Sequence, residues 1–104
     1  MDLNDLTVVI VSYKSKEKIS KCLDSIPKKT SIFVIENSDD KIFQSEIEKK
    51  YSNVRCILTG DNKGYAVANN IGLREVKTKF SLILNPDTIL DKNAIKNFLE
   101  DVKK

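Results

Sequence analysis

The feature that most constrains this chain is residues 6–11, L-T-V-V-I-V, a continuous, largely β-branched run without polar alternation. A strand with one wet face alternates apolar and polar residues, so an unbroken run reads as a strand buried on both faces. That demands helices above and below a sheet, and the rest of the chain supplies them. After a turn at residues 12–15, Ile19, Cys22, Leu23 and Ile26 recur at helical spacing, with Ser15 the expected N-cap and Pro27 closing the helix. Ser31–Glu36 is a second buried strand. It runs into a polar cluster of helix-capping types, residues 37–40, and then a helix over about residues 41–51. Val54–Leu58 is a third strand, and Gly64 opens a helix over about residues 65–76. Phe80–Leu84 is a fourth strand, and Asp91 is expected to cap a last helix carrying Ile95, Phe98, Leu99 and Val102.

Strand and helix therefore alternate four times, which specifies an α/β fold with a parallel sheet and helices on both faces. Right-handed crossovers reduce the arrangements, and the natural strand order is 3-2-1-4, a Rossmann-like three-layer α/β/α sandwich. The 104 residues read as one domain, with no internal linker, low-complexity segment or repeat beyond the alternating units.

Composition excludes several classes. With no histidine, the chain has no Ser-His-Asp or Cys-His catalytic set, and Cys22 and Cys56 alone cannot make a zinc site. Both cysteines fall in apolar rhythm and read as buried thiols of a reducing compartment, which points to the cytoplasm. No signal peptide or transmembrane segment is visible. Net charge is +3, with Lys14, Lys16, Lys18, Lys21, Lys28 and Lys29 gathered in the first third, either a solvated helix face or a patch suited to phosphate. Nucleic acid is not expected as a partner, because Arg55 and Arg74 are the only arginines and stacking platforms are lacking. The turn after the first strand, S-Y-K-S-K, is not G-x-G-x-x-G, and no phosphate-binding G-x-x-x-x-G-K-[ST] loop exists.

In open α/β sheets ligands bind beyond the carboxyl ends of the strands, at the switch point between neighbours whose connections diverge. With order 3-2-1-4 that is the crevice between the first and fourth strands. Three strand ends converge there: Ser12-Tyr13, Glu36-Asn37 and Asn85-Pro86-Asp87. Pro86 has no N–H for a ladder, so the fourth strand stops and leaves Asp87 just past its end. Asn85 and Asp87 also suit a plain strand-terminating turn, and Glu36 also reads as an exposed strand terminus. Two carboxylates at strand ends suit magnesium or manganese, which take oxygen ligands and share them with substrate phosphates. In the helix opened by Gly64, the small residues permit close approach. Asn69 and Asn70 sit mid-helix, where asparagine is a mediocre helix former, bonded either to a neighbour or ligand or simply to solvent.

These residues together resemble the donor-binding amino-terminal half of family-2 inverting glycosyltransferases of the GT-A fold, in particular the rhamnosyltransferase-like branch. The resemblance lies in V-V-I-V-S-Y-K-S (8–15), C-L-D-S-I (22–26), F-V-I-E-N-S (33–38), N-K-G-Y-A-V-A-N-N-I-G (62–72) and L-I-L-N-P-D-T (82–88). It implies binding of a nucleoside-diphosphate sugar for transfer to the hydroxyl of an acceptor glycan or lipid-linked sugar, as in cell-wall or polysaccharide biosynthesis. The implied donor-binding residues are Ser12, Tyr13, Glu36, Asn37, Gly64, Asn69 and Asp87. Asp87, last residue of the N-P-D that represents the family's D-x-D motif, is the implied ligand of a divalent cation, Mn or Mg. Glu36 stands where the family usually has Asp, and Asn85 where D-x-D has its first acid.

The implied chemistry is direct displacement at the anomeric carbon, with a general base taking the acceptor's proton. Relatives keep that base and acceptor recognition in a further half, which residues 1–104 are expected to lack. No general base is visible, since Asp91, Glu100 and Asp101 read as cap and helix surface. Two further readings stand beside this one: a nucleotide-sugar-binding or interaction module without transfer activity, and an unrelated parallel α/β domain of receiver or flavodoxin type. A receiver would need an acidic cluster after its first strand, where Ser12-Tyr13 stands, and an Asp after its third, where Thr59-Gly60 stands. Finally, an uncovered outer edge of the fourth strand would favour self-association.

Overall fold

The computed structural model describes residues 3–102; the ends assigned to the domain, 1–2 and 103–104, lie outside the described residues. After a short 3-10 turn the elements run β1 (Leu6–Ser12), α1 (Lys16–Asp24), β2 (Ser31–Glu36), α2 (Lys41–Lys50), β3 (Val54–Leu58), α3 (Tyr65–Glu75), β4 (Phe80–Leu84) and α4 (Ala94–Val102). All strand pairs are parallel and the order is β3-β2-β1-β4, as the alternation of apolar runs implies. β1 lies between β2 and β4, and all seven of its residues are buried. Its register sets the ends of the sheet: Ser12 is level with Glu36, and Ile10 with Leu84.

Alternate residues of the strands feed two unequal cores. Leu6, Val8 and Ile10 join Ile32, Val34, Cys56 and Leu84 on the face covered by α1, α2 and α4, where Ile19, Leu23, Phe43, Ile47, Ile95 and Leu99 pack. Val9, Val11 and Ile35 point the other way and meet Ala68 of α3, with Leu73 and Val76 packed beside it and the half-buried Phe33 and Ile57 at the edge. Gly72 makes that contact close: a Cβ there would stand 2.8 Å from Val9 Cγ1 and 2.9 Å from Ile35 Cγ1. Each fully buried Leu or Ile side chain contributes roughly 1.5–3 kcal/mol, so the three-helix face carries most of the stability.

Helix starts differ from expectation in two places. Ser15 stands at the α1 N-cap position but makes no capping bond; its hydroxyl donates to the Tyr13 carbonyl instead, at 3.1 Å. Asp91 lies in the turn before α4, which begins at Ala94, and contributes its main-chain carbonyl to Ala94 N. Asp40 caps α2 through its side chain, which accepts from Phe43 N at 3.0 Å, so the polar cluster after β2 does begin a helix. The outer edge of β4 pairs with no strand among the described residues, and Ile83 is exposed there, the geometry on which the expected self-association would act.

Candidate functional site

The carboxyl ends of β1 and β4 open into a cleft of about 330 Å³, lined by Val11, Ser12, Tyr13, Asn37, Asn62, Tyr65, Asn85, Pro86 and Asp87. Of the residues singled out from the sequence, the fold brings Ser12, Tyr13, Asn37 and Asp87 to this cleft. It does not bring Glu36, Gly64 or Asn69 to its lining.

Glu36 is a buried carboxylate, 2% exposed, rather than an open strand terminus. Its Oε1 accepts from Ser12 Oγ at 2.7 Å, and its Oε2 accepts from Ser38 Oγ. Glu36 thereby ties the end of β1 to the start of the loop after β2, behind the cleft wall. Asn37, equally buried, has its amide fully engaged. Nδ2 donates to Asn62 Oδ1 (3.2 Å) and to the Gly64 carbonyl (3.1 Å), while Oδ1 accepts from Lys63 N (3.1 Å). Thr59 Oγ1 lies 2.8 Å from Asn37 Oδ1 and 2.7 Å from the Asp61 carbonyl, and shares its one proton between them. Asn37 therefore has no donor left over, and it fixes the 59–64 loop against β2.

That loop and the first residue of α3 supply two cleft residues that the pattern of strands and helices did not pick out, Asn62 and Tyr65. Asn62 Oδ1 accepts from Asn37 Nδ2 and from Gly64 N, and this sets the amide orientation, because a main-chain N–H must meet oxygen. The Asn62 NH2 is left as a pair of donors. The Tyr13 and Tyr65 rings are each about half exposed at the same cleft. Gly64, at φ 85, occupies the left-handed region open to glycine and turns the chain into α3. The signal for Asn62 was its place two residues ahead of the Gly64 turn into α3.

Across the cleft, Asn85 Oδ1 accepts from Asp87 N at 2.9 Å, and Thr88 N donates to the Asn85 carbonyl. The stretch is therefore an Asx turn, and that turn holds the Asp87 carboxylate at the strand end. Asp87 is exposed and lies 3.6 Å from Lys18 Nζ. Asn69 is buried in α3 and its Oδ1 has no hydrogen-bond partner. Cys22 lies behind the Asn85 turn, its Sγ 3.9 Å from the Asn85 carbonyl. Burial pushes the Cys22 thiol up to about 11, and burial followed by the charges of Glu48, Glu36 and Asp40 pushes Cys56 up to about 12. Both stay protonated and neither can serve as a nucleophile at neutral pH.

Among the described residues, no group of three or more His, Cys, Asp or Glu side chains could hold a metal ion unaided. Asp87 is the one carboxylate lining the cleft. A single carboxylate suits a cation whose other ligands are water and substrate phosphate, the usual habit of magnesium.

Comparison with known families decides the assignment. The model described as Glycosyl transferase family 2 matches residues 7–104. The chain belongs to glycosyl transferase family 2. A teichoic acid poly(glycerol phosphate) polymerase of Staphylococcus epidermidis is 34% identical over 94% of this chain, and the low-salt glycan biosynthesis hexosyltransferase Agl10 of Haloferax volcanii is 33% identical over 90%. This chain spans only 15% of the length of the first relative and 31% of the second. Among solved structures, S. aureus TarS 1-349 superposes with a TM-score of 0.77 at 18% identity, covering 95% of this chain and 32% of that one. The same TarS fragment in complex with UDP matches equally well, at 19% identity. These likenesses show the GT-A, Rossmann-like fold expected from the motifs. Among the described residues no helix is long and apolar enough to cross a membrane.

Proposed function

We propose that this family-2 domain binds a nucleoside-diphosphate sugar in the cleft between β1 and β4, for transfer to a hydroxyl of an acceptor glycan or lipid-linked sugar. The observation that carries this reading is Asp87, held by the Asx turn as the one carboxylate of a cleft otherwise lined by tyrosines, asparagines and a serine. The UDP complex of the structurally similar TarS supports a nucleotide as occupant.

In this reading Asp87 holds a divalent cation, Mn or Mg, together with the donor's diphosphate; when bound, that cation offsets the charge that builds on the leaving diphosphate. Tyr13 and Tyr65 offer flat apolar faces to the base or sugar. Asn62 offers its two amide hydrogens as donors to acceptor atoms of the nucleotide, its orientation set by Asn37 and Gly64. Glu36 acts at one remove, by holding Ser12 and Ser38, and its buried carboxyl makes no ligand contact. Asn69, buried in α3 with an unpartnered Oδ1, is retained as a donor-binding candidate although it does not line the cleft. The two protonated, buried thiols suit the cytoplasm, where we place the reaction.

A second reading has its own observation. Asp87 is the cleft's one carboxylate and is assigned to the cation, so no residue of this cleft is left as general base. That favours a nucleotide-sugar-binding module whose chemistry, if any, draws on residues elsewhere. Thermal unfolding separates binding from its absence: UDP, dTDP or GDP with MnCl2 should raise the melting temperature, and Asp87→Ala should abolish the rise. No rise with any of the three sinks both readings. Release of nucleoside diphosphate from an activated sugar in the presence of acceptor then distinguishes transferase from binding module.

A further inference from the structure

We propose that Lys18 is the built-in counter-ion of the cleft carboxylate: in the free domain it occupies the charge position of the divalent cation at Asp87, and on donor binding it passes to the diphosphate. The inference deepens the reading above and rests on Asp87 as cation ligand.

The lysines at the start of α1 are not equivalent. Lys14 Nζ stacks 5.3 Å from the centre of the Tyr13 ring, and Lys16 pairs with Glu46 of α2 at 3.0 Å. Lys18 alone of the three reaches the cleft carboxylate, its Nζ 3.6 Å from Asp87 Oδ1. Both partners are more than half exposed, at 68% and 60%, so the pair adds little to stability and is free to exchange. Its consequence is electrostatic. A cation bound through Asp87 at about 2 Å would come within roughly 4–6 Å of the ammonium. In water-like surroundings repulsion between a double and a single positive charge at that distance changes affinity on the order of tenfold, and several-fold in physiological salt.

The cation alone therefore binds weakly, because it must displace Lys18. A nucleoside diphosphate brings enough negative charge to satisfy cation and ammonium together. Metal and nucleotide thus bind cooperatively, and Lys18 sets the size of the coupling. Lys18 is in this sense a binding residue that keeps the empty cleft electrically closed.

The test measures free Mn2+ by electron paramagnetic resonance during titration of the 104-residue chain with MnCl2, alone and with saturating UDP, dTDP or GDP. Lys18→Gln should tighten Mn2+ binding about three- to tenfold without nucleotide, loosen nucleotide binding in the presence of Mn2+ by a similar factor, and reduce the coupling between them. Lys18→Arg keeps the charge and should behave as the unaltered chain. If Lys18→Gln leaves Mn2+ affinity and coupling unchanged while Asp87→Asn lowers both, the counter-ion role is wrong and the cation site stands. If Asp87→Asn leaves Mn2+ binding unchanged, the cation reading fails and this proposal with it.

Discussion

Replacing Asn37 by alanine tests whether the 59–64 loop, and with it one cleft wall, hangs on a single buried amide. Asn37 makes three full hydrogen bonds, to Asn62 Oδ1, the Gly64 carbonyl and Lys63 N, and shares the Thr59 hydroxyl proton with Asp61. At about 1 kcal/mol for each full bond the loss would approach 3 kcal/mol. Two of the groups left behind keep a partner: Asn62 Oδ1 still accepts from Gly64 N, and the Gly64 carbonyl still accepts from Ala68 N. Only Lys63 N is orphaned outright, which brings the expected cost to about 2 kcal/mol. Unfolding in urea followed by circular dichroism should show a midpoint lower by about 1–2 M at unchanged slope, and the melting temperature should fall by roughly 10 °C. Asn37→Asp retains the shape but turns an oxygen toward the Gly64 carbonyl and Asn62 Oδ1, so it should cost at least as much. A fall of less than about 0.5 kcal/mol for both variants would refute the reasoning, since that is the effect of an ordinary surface substitution.

Two further outcomes follow from packing and from proton binding. Gly72→Ala sets the gain in helix propensity, about 1 kcal/mol, against crowding of Val9 and Ile35, about 1–3 kcal/mol; a net loss of stability in urea is expected, because Val9 sits in the central strand and cannot give way. Stability should also decline in alkali. The Cys22 and Cys56 thiols, ordinarily titrating at 9.0, are raised to about 11 and about 12, and Tyr51, ordinarily at 10.0, is raised to about 12 by burial and by its bond to Asp24. Raised values favour the protonated form in the folded state, so this stability is fully present below pH 9 and drains away as pH rises toward 11–12. Melting temperature measured from pH 8 to 11 should fall, and Cys56→Ala should flatten the fall.

Strands and layers were legible because burial on both faces leaves an unmistakable apolar run, as in residues 6–11, and because four apolar strands at regular spacing admit few topologies, even though β3 and β4 each leave residues exposed. Asp87 was legible for a related reason: Pro86 ends a strand by chemistry that is local to the sequence. Glu36 was not. Its type and position promised either a ligand-facing carboxylate or an exposed strand terminus, yet its neighbours in space, Ser12 and Ser38, offered two hydroxyls and closed over it, a contact that the register of β1 against β2 reveals. Asn62 was not named as a site residue because a loop residue acquires its place through what holds it, here Asn37 from 25 positions away. Ser15 shows the same limit on a smaller scale: a capping residue in a capping position spent its hydroxyl on the turn before it.

The place of β1 bears on how the chain comes off the ribosome. β1 is an inner strand of the sheet made before both of its neighbours, and among the described residues one of its edges pairs with β4, which ends about 70 residues later; at the pace of synthesis that is an interval of roughly 4–14 s. Through those seconds one edge of a β-branched strand, later buried along its whole length, waits for a partner not yet made, even after β2 has closed the other edge. The N-terminal half of the chain is thus at greatest risk of misassociation while it is being born, and a pause or a premature stop before residue 80 would leave that edge open for good.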